Sequence, residues 1–482
     1  MSELGSLSAR AILVIPACSA ALLALLPDDR LTARLNSLAA LLTFLASTAL
    51  FLVRPEAGPF IIVDDVNVVF IVLTTFVSFT TSVFSGSYIS HELENGHLTP
   101  IYLRFYHGMY QTLMFAMNLA LLANNVGLMW VAVELATLTT VLMVGIYRTP
   151  AALEAAWKYF ILGSVGIALA LFGTILVYLA ARSVVGEGLD AMAWNVLVAK
   201  APAFDPALLN LAFVFLLLGY GTKVGLAPLH AWLPDAHAEG PTPISAVLSG
   251  LLLNVALFAV LRFKMVMSAN PGALAPGPLM VTLGLLSVLF AAFMLYRRHD
   301  IKRMFAYSSI EHMGIITFAF GMGGPLANFA GLLHMTFHSL TKSAIFFSVG
   351  HIAQVKGTQK MADIRGLTVS HPVLGWGLVL GVITIVGLPP MGIFMTEFLI
   401  ITSTFYRQPA LAVTLAIGLL VGLGALLLRL NGLAFGDAHG SNAPAEASFV
   451  PMFAHLALVL AAGVYLPPAL VSWFQYVARL LG

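Results

Sequence analysis

Runs of about 20 apolar residues recur from one end of this chain to the other, the length a helix needs to cross the hydrocarbon core of a bilayer. They leave one fold class, helices that close their backbone hydrogen bonds within each segment, because lipid offers the backbone no partner. Charge agrees: only 44 of 482 residues are charged, 23 basic and 21 acidic, against about a quarter in soluble domains. A net charge of +2 excludes a basic nucleic-acid binder. Cys18 is the only cysteine, so the chain holds neither a disulfide nor an iron-sulfur cluster, which needs several thiolates. Any redox chemistry must belong to a partner.

Hydrophobic runs set between polar breaks predict fourteen membrane helices. They run Ala9–Leu26, Leu31–Val53, Val66–Ser90, Arg104–Ala123, Val126–Tyr147, Ala151–Ala181, Leu208–Leu229, Ile244–Met267, Pro278–Arg297, Ile301–Gly321, Pro325–Gln354, Pro372–Phe405, Pro409–Phe435 and Val450–Val471. The N-terminus, MSELGSLSAR, has no basic n-region and the run to Leu26 no small-residue cleavage site, so the first segment reads as a retained span. RPEAGPF followed by FIIV, between Arg54 and Asp65, predicts a small extramembrane hairpin. The connections near Arg182–Pro206 and Gly436–Phe449 are too short for a soluble domain. Loops after odd-numbered spans hold 13 Lys and Arg, among them Lys158 and Lys302, against 8 on the other side, among them Arg262 and Lys264. The positive-inside rule then places both termini outside the cytoplasm.

Two runs are interrupted by Gly and Pro: GYGTKVGLAPLHAWLPDAHAEGPTP from Gly219 to Pro243, and GLPPMGIF from Gly387 to Phe394. Backbone freed at membrane depth survives only where protein or a water-filled cavity satisfies it. Such a pair, one in each half, points to an ion or substrate pathway; ordinary proline kinks are the competing explanation. Glu134, Lys223, Lys342 and Glu397 fall inside spans, where each costs roughly 3 kcal/mol on insertion scales. Two structural ion pairs would account for four charges but not for what accompanies Lys342. His334, His338 and Lys342 are spaced i, i+4, i+8 and share one helix face. Three titratable groups in register suit a proton relay. Two histidines on one helix cannot ligate one haem iron axially, and with neither HExxH nor a cysteine pair no zinc site is expected.

His230, Asp235, His237 and Glu239 crowd the first break beside Lys223. A loop commonly carries such residues; next to a buried lysine they are also candidate proton acceptors. Lysine suits proton storage, since burial favours its neutral form and a nearby carboxylate its charged form. Two charges about 6 Å apart at an effective dielectric near 20 interact by roughly 3 kcal/mol. Separating such a pair by a few ångströms loads or unloads a proton.

These stretches resemble one family, the antiporter-like membrane subunits of respiratory complex I, Mrp cation/proton antiporters and energy-converting hydrogenases, and the resemblance covers nearly the whole chain. KVGLAPLHAWLPDAHAEGPTPISAVLSG, Lys223 to Gly250, is its most specific stretch. EAAWKYFILGS from Glu154, DIKRMFAYSSIEHMG from Asp300, HMTFHSLTKSAIFFSVG from His334 and GLPPMGIFMTEF from Gly387 support it. YSSIEHMG has Glu311 where complex I subunits commonly have Ser, which makes the chain most similar to the group 4, formate-hydrogenlyase-type branch.

The resemblance implies an all-α polytopic membrane protein of fourteen helices with two inverted five-helix repeats. Helices 4 to 8 (residues 101–267) and 9 to 13 (276–435) would each form a half-channel, with helices 7 and 12 broken. Helices 1 to 3 with the hairpin (1–100) and helix 14 (450–482) would flank them. By motif, Glu134 is the helix 5 carboxylate and Lys223 its helix 7 partner. His334, His338 and Lys342 belong to the helix 11 connection, and Glu397 is the terminal group on helix 12. Lys158, Asp235, His237, Glu239, Asn254, Glu311 and His312 are accessory. Asn254 stands where many relatives have Lys or His, so a bridging water or His230 has to connect the halves. The long lateral helix that some relatives carry after the last span is not expected.

The function expected is a non-catalytic, proton-translocating subunit of a multisubunit redox complex in a prokaryotic cytoplasmic membrane, of a group 4 hydrogenase or a related complex I-like oxidoreductase. No cofactor or metal is expected in this chain; nickel-iron and iron-sulfur centres belong to partner subunits. Its partners are other membrane and peripheral subunits, lipid, and protons or Na+. Two readings stay open: a Mrp-type cation/proton antiporter without redox partners, and a structural anchor whose channel is inactive, which Asn254 keeps in play.

Overall fold

The computed structural model describes residues 2–439 and 448–482, so most of the Gly436–Phe449 connection lies outside the described residues. The first part of the chain forms α1 (Ser2–Leu25), α2 (Asp29–Thr48), α3 (Asn67–Glu94), α4 (Pro100–Leu122), α5 (Val126–Val144), α6 (Pro150–Val185), the short α7 (Trp194–Lys200) and α8 (Pro206–Val224). After the first break come α9 (Leu233–Glu239), α10 (Thr242–Val247) and α11 (Leu253–Ala269), the last two joined by a π turn over Leu248–Leu252. Then follow α12 (Gly277–Leu295), α13 (Ile301–Met322), α14 (Gly324–Lys356), α15 (Leu367–Ser370), α16 (Pro372–Ile385), α17 (Gly392–Arg407), α18 (Pro409–Ala434), α19 (Val450–Val464) and α20 (Pro468–Leu480). Polar residues just outside the apolar runs start many of them. Asp28, Thr99, Asn125, Thr149 and Asp205 each accept a hydrogen bond from the first turn that follows, and α4, α6 and α8 also carry Pro there, where a missing N–H costs nothing.

Each of the fourteen expected spans overlaps helical residues. Among the described residues, however, nine helices are long and apolar enough to cross a membrane, or ten counting α19 and α20 as one bent span. The shortfall has a physical source. α4 buries His107, Gln111 and Asn118, α13 and α14 bury the titratable residues discussed below, and the second break divides one expected span into α16 and α17. The last expected span, to Val471, ends instead at Val464 and turns by 86° around Pro467 and Pro468, which cannot continue a helix hydrogen-bond ladder. The α20 that follows packs on α14. The expected hairpin between Arg54 and Asp65 is a tight turn, with Gly58 N donating to Ile61 O at 2.9 Å. Its FIIV arm pairs with the end of α4, through Ile62 N to Leu122 O at 2.9 Å, and not with itself.

The stretch Thr242–Ala269 is buried on all sides, as a helix apolar all round should be. α14 runs beside it and touches α3, α10, α13, α16, α17, α19 and α20. Arg262, Lys264 and Lys302, counted above as loop charges, are buried here. Lys264 Nζ donates to the Leu481 carbonyl at 2.6 Å, and Lys302 Nζ to those of Gly240 at 2.6 Å and Ala238 at 3.2 Å. Their long side chains reach into the bundle, the lysine charges are met by backbone and that of Arg262 by Asp64, so these residues bind elements together and mark no membrane face.

Candidate functional site

The first break frees backbone groups deep in the bundle, and side chains take them up. α8 ends at Gly225, whose φ of 80° a β-carbon would disfavour. Trp232 Nε1 donates to Thr222 O at 2.8 Å, Ala227 N to Ser287 Oγ at 2.8 Å, and Lys302 closes on Ala238 and Gly240. The irregular segment is thereby held rigidly in protein, the condition under which it persists in a membrane.

Lys223, in the last turn of α8, is 1% exposed; its Nζ lies 3.4 Å from Glu134 Oε2 on α5, whose side chain is 18% exposed. The ammonium also donates to Thr137 Oγ1 at 2.8 Å. Gly163 on α6 makes the room: a β-carbon there would stand 3.0 Å from Nζ. At 3.4 Å the pair attracts by about 5 kcal/mol at an effective dielectric near 20, and at about 6 Å by about 3. The difference, about 2 kcal/mol, matches the roughly 2.3 kcal/mol needed to move one charge through 100 mV. A displacement of a few ångströms is therefore energetically commensurate with membrane energisation.

A second cluster joins α13, α14 and α17 around the second break, which runs from Val386 to Met391. His334, His338 and Lys342 lie along α14, all fully buried. His334 is bonded on both sides, Nε2 to His312 Nδ1 at 2.9 Å and Nδ1 to Thr396 Oγ1 at 2.9 Å. The His338 ring stacks on His312 at 5.7 Å, and neither of its nitrogens has a protein partner. Buried polar atoms of this kind are satisfied by internal water. Lys342 Nζ donates to Phe305 O at 3.0 Å and faces the charge of Glu311. Glu311, His312 and Glu397 line one small cavity with residues of α18. Two glycines make way for its carboxylates: a methyl at Gly422 would overlap Glu311, and one at Gly387 would overlap Glu397.

The sequence-derived residues thus divide into groups. Glu134 and Lys223 meet. His334, His338 and Lys342 form the expected stripe, but the carboxylate facing Lys342 is Glu311; Glu397 sits with His312 and His334 instead. Lys158, Asp235 and Glu239 belong to a partly exposed ion-pair network with Glu154 and Arg303, at 2.7 to 3.1 Å. Pairs so exposed contribute at most about 1 kcal/mol each, and this network clamps the end of the break rather than reaching Lys223. His230 packs against the Phe290 ring of α12 at 4.6 Å. His237 is fully buried, stacked on Phe346 at 4.8 Å, with neither nitrogen held by a protein partner, and within electrostatic reach of Lys302 and Lys342. Asn254 Nδ2 donates to Met335 O at 3.1 Å and Ser339 Oγ at 2.7 Å, so it ties the central helix to α14.

Sequence reasoning missed Thr396, the burial of Lys302, and a polar cavity of about 580 Å³ at the end of the bundle where α3 and α14 finish. That cavity is lined by Tyr88, His91, Glu92, His97, Lys302 and Gln354, among others. Gln354 Nε2 donates to Glu92 Oε1 at 2.8 Å across 262 positions of sequence, a distance no spacing rule spans. The lysine of DIKR, two positions from an Asp N-cap, was the one available signal.

Residues 123–423 match the model of the transmembrane family described as NADH:quinone oxidoreductase/Mrp antiporter. The chain is 62% identical over 475 residues to a hydrogenase-4 component F homolog of Methylacidiphilum infernorum, covering 98% of this chain and 100% of that protein. It shares the fold of a chain of an archaeal membrane-bound sulfane sulfur reductase, with a TM-score of 0.87, 21% identity and coverage of 98% and 97%. It is likewise similar to a chain of respiratory complex I from Thermus thermophilus, with a TM-score of 0.82, 23% identity and coverage of 98% and 100%.

Proposed function

The chain belongs to the family of transmembrane subunits shared by NADH:quinone oxidoreductases and Mrp antiporters, and on that premise we propose that it is a non-catalytic, proton-translocating subunit of a hydrogenase-4-type redox complex in a prokaryotic cytoplasmic membrane. The observation that carries this reading is the buried Lys223–Glu134 pair followed by further buried titratable groups across the bundle. When a conformational or electrostatic change in a partner draws Glu134 away, Lys223 releases its proton. We assign His237, which interacts with Lys342, to the link between the two clusters, with Lys342 and Glu311 as the second lysine-carboxylate couple and His338, His312 and His334 leading to Glu397 at the second break. The two halves act as successive half-channels, and Asn254 positions α14 without interrupting the route. Imidazole and ammonium groups suit protons; a hard cation such as Na+ takes oxygen ligands. The nickel-iron and iron-sulfur centres sit in partner subunits, since Cys18 alone cannot supply their thiolates.

The test is proton translocation by the assembled complex in proteoliposomes, measured together with redox turnover. Glu134→Gln removes the negative charge that holds the Lys223 proton, and proton translocation should fall about tenfold or more, the effect of roughly 1.4 kcal/mol on a barrier, while redox turnover persists. Pumping at the unaltered rate would reject the pair's role. Sodium-driven proton exchange without any redox substrate would instead favour an antiporter working without redox partners. Gly422→Ala should also impair pumping, because its methyl displaces the Glu311 carboxylate and leaves the Lys223 pair untouched. Normal translocation in that variant would show that Glu311 need not hold its place.

A further inference from the structure

The hydrogen bonds around the second break define one arrangement of hydrogen on His334. With its hydrogen given to Ile393 O at 2.8 Å, Thr396 Oγ1 accepts from His334 Nδ1 at 2.9 Å. His334 therefore holds its proton on Nδ1 and turns the Nε2 lone pair toward His312 Nδ1, 2.9 Å away. His312 in turn makes a backbone hydrogen bond at Ile385, the last residue of α16, where the carbonyl accepts, so its Nδ1 lone pair also points inward. Two neutral imidazoles held in this way aim their lone pairs at each other. A positive charge between them resolves the conflict, and the carboxylates of Glu397 and Glu311, which border the same cavity, balance it.

We propose that His312 Nδ1, His334 Nε2 and the Glu397 carboxylate form a binding site for a borderline transition-metal dication, with Zn2+ as the fitting ion. One donor atom from each of the three residues lies within 4.8 Å of the others. Ligands of a tetrahedral zinc with bonds of about 2.0 to 2.1 Å stand roughly 3.3 Å apart, so closure asks for a shift of up to about 1.5 Å. The irregular segment Val386–Met391 ahead of α17 is placed to supply it, since α17 carries both Glu397 and Thr396. Two imidazole nitrogens and one carboxylate leave a fourth position open. Thr396 and the Ile385 carbonyl play the part that outer hydrogen-bond acceptors play for metal-bound histidines, holding each ring in its ligating tautomer. Na+ and Mg2+ do not suit a site whose donors are mainly nitrogen. The site stands on this geometry alone; its consequence, that zinc blocks the route through His334, rests on the proton-translocating function proposed above.

Chelator-washed full-length chain in lipid nanodiscs, titrated with zinc chloride under equilibrium dialysis, tests the site directly. One zinc per chain is expected, with an X-ray absorption signature of two imidazole nitrogens and one carboxylate oxygen. His334→Gln should abolish binding. Thr396→Val should weaken it by about ten- to a hundredfold and Thr396→Ser restore it, the effect of losing and regaining an outer hydrogen-bond partner. His97→Gln, at an exposed histidine, should bind as the parent does, and a monodisperse gel-filtration profile of each variant shows that it is folded. Absence of saturable binding, or equal affinity in His334→Gln and the parent, overturns the proposal. In the assembled complex, zinc should stop proton translocation reversibly while redox turnover continues. Zinc that binds as described yet leaves pumping intact supports the site and rejects the proton route through it.

Discussion

Replacing Lys223 by alanine is expected to abolish redox-coupled proton translocation while electron transfer in the assembled complex goes on. The expectation rests on geometry at both ends of the ammonium. Glu134 lies 3.4 Å away and Thr137 accepts from it at 2.8 Å, so the group is held in place yet bonded to only one carboxylate, which leaves it free to change charge when that carboxylate moves. Alanine removes the proton carrier at the end of α8, and the nearby basic side chains among the described residues are engaged elsewhere: His230 faces Phe290, and Lys158 is committed to Glu154 and Asp235. Lys223→Arg separates a relay from a structural ion pair. Arginine keeps the positive charge but does not deprotonate in proteins, and its larger head has to fit where a β-carbon on Gly163 would already approach to 3.0 Å. Both variants should therefore lose pumping by about tenfold or more, given that the pair energy of several kcal/mol is worth more than one factor of ten. The measurement is the ratio of protons moved to electrons transferred in proteoliposomes. A normal ratio in Lys223→Arg would reduce Lys223 to a structural cation, and a normal ratio in Lys223→Ala would remove it from the mechanism altogether.

Arg262→Ala should destabilise the fold by about 3 kcal/mol, the low end of the range for breaking one side of a buried ion pair, because the Asp64 side chain left behind is 23% exposed. Arg262 on α11 is 1% exposed and its guanidinium lies 2.6 Å from Asp64. It also stacks over the Trp194 ring at 3.8 Å and the Phe258 ring at 4.7 Å. Asp64 has a second task, accepting hydrogen bonds from Val66 N at 3.0 Å and Asn67 N at 2.8 Å at the start of α3. Trp194 Nε1 returns a hydrogen bond to the Arg262 carbonyl at 2.9 Å. Removing the guanidinium thus strands a carboxylate and opens a gap between two aromatic rings where α3, α7 and α11 meet. Unfolding in detergent followed by tryptophan fluorescence measures the loss. Arg262→Met, which refills part of the gap but still strands Asp64, should fall between alanine and the parent. Stability within about 0.5 kcal/mol of the parent in Arg262→Ala, the size of an ordinary surface substitution, would show that Asp64 finds another partner.

The contrast between Arg262 and Lys223 shows where reading the sequence succeeds and where it stops. Lys223 announces itself because it stands in a broken apolar run, GYGTKVG, with Gly and Pro on the same side of it. Arg262 and Lys264, in AVLRFKM, look like the basic flank of a span, and that pattern is the same whether the charges face water or turn inward to Asp64 and to the C-terminal carbonyls. Lys302 is ambiguous for the same reason. Histidines raise a related difficulty. The i, i+4 spacing on α14 is periodic and therefore visible, whereas His312 belongs to another helix and meets His334 only through the packing of α13 on α14. His230 and His237 share one short segment, and nothing in their order says which turns toward Lys342.

Periodicity and apolarity are local properties, written in consecutive residues, so the sequence by itself determined an all-helical membrane protein, the two interrupted helices, and Glu134, Lys223, Lys342 and Glu397 as charges within apolar stretches. Which charges face each other is a property of helix rotation and approach, and only the tertiary structure decided it. The charge that interacts with Lys342 is that of Glu311, and Glu397 joins His312 and His334, with Gly422 and Gly387 leaving space for the two carboxylates in those places. An electrostatic interaction that changes by kilocalories over a few ångströms depends on packing contacts between different helices, and those contacts exist only once the bundle has assembled.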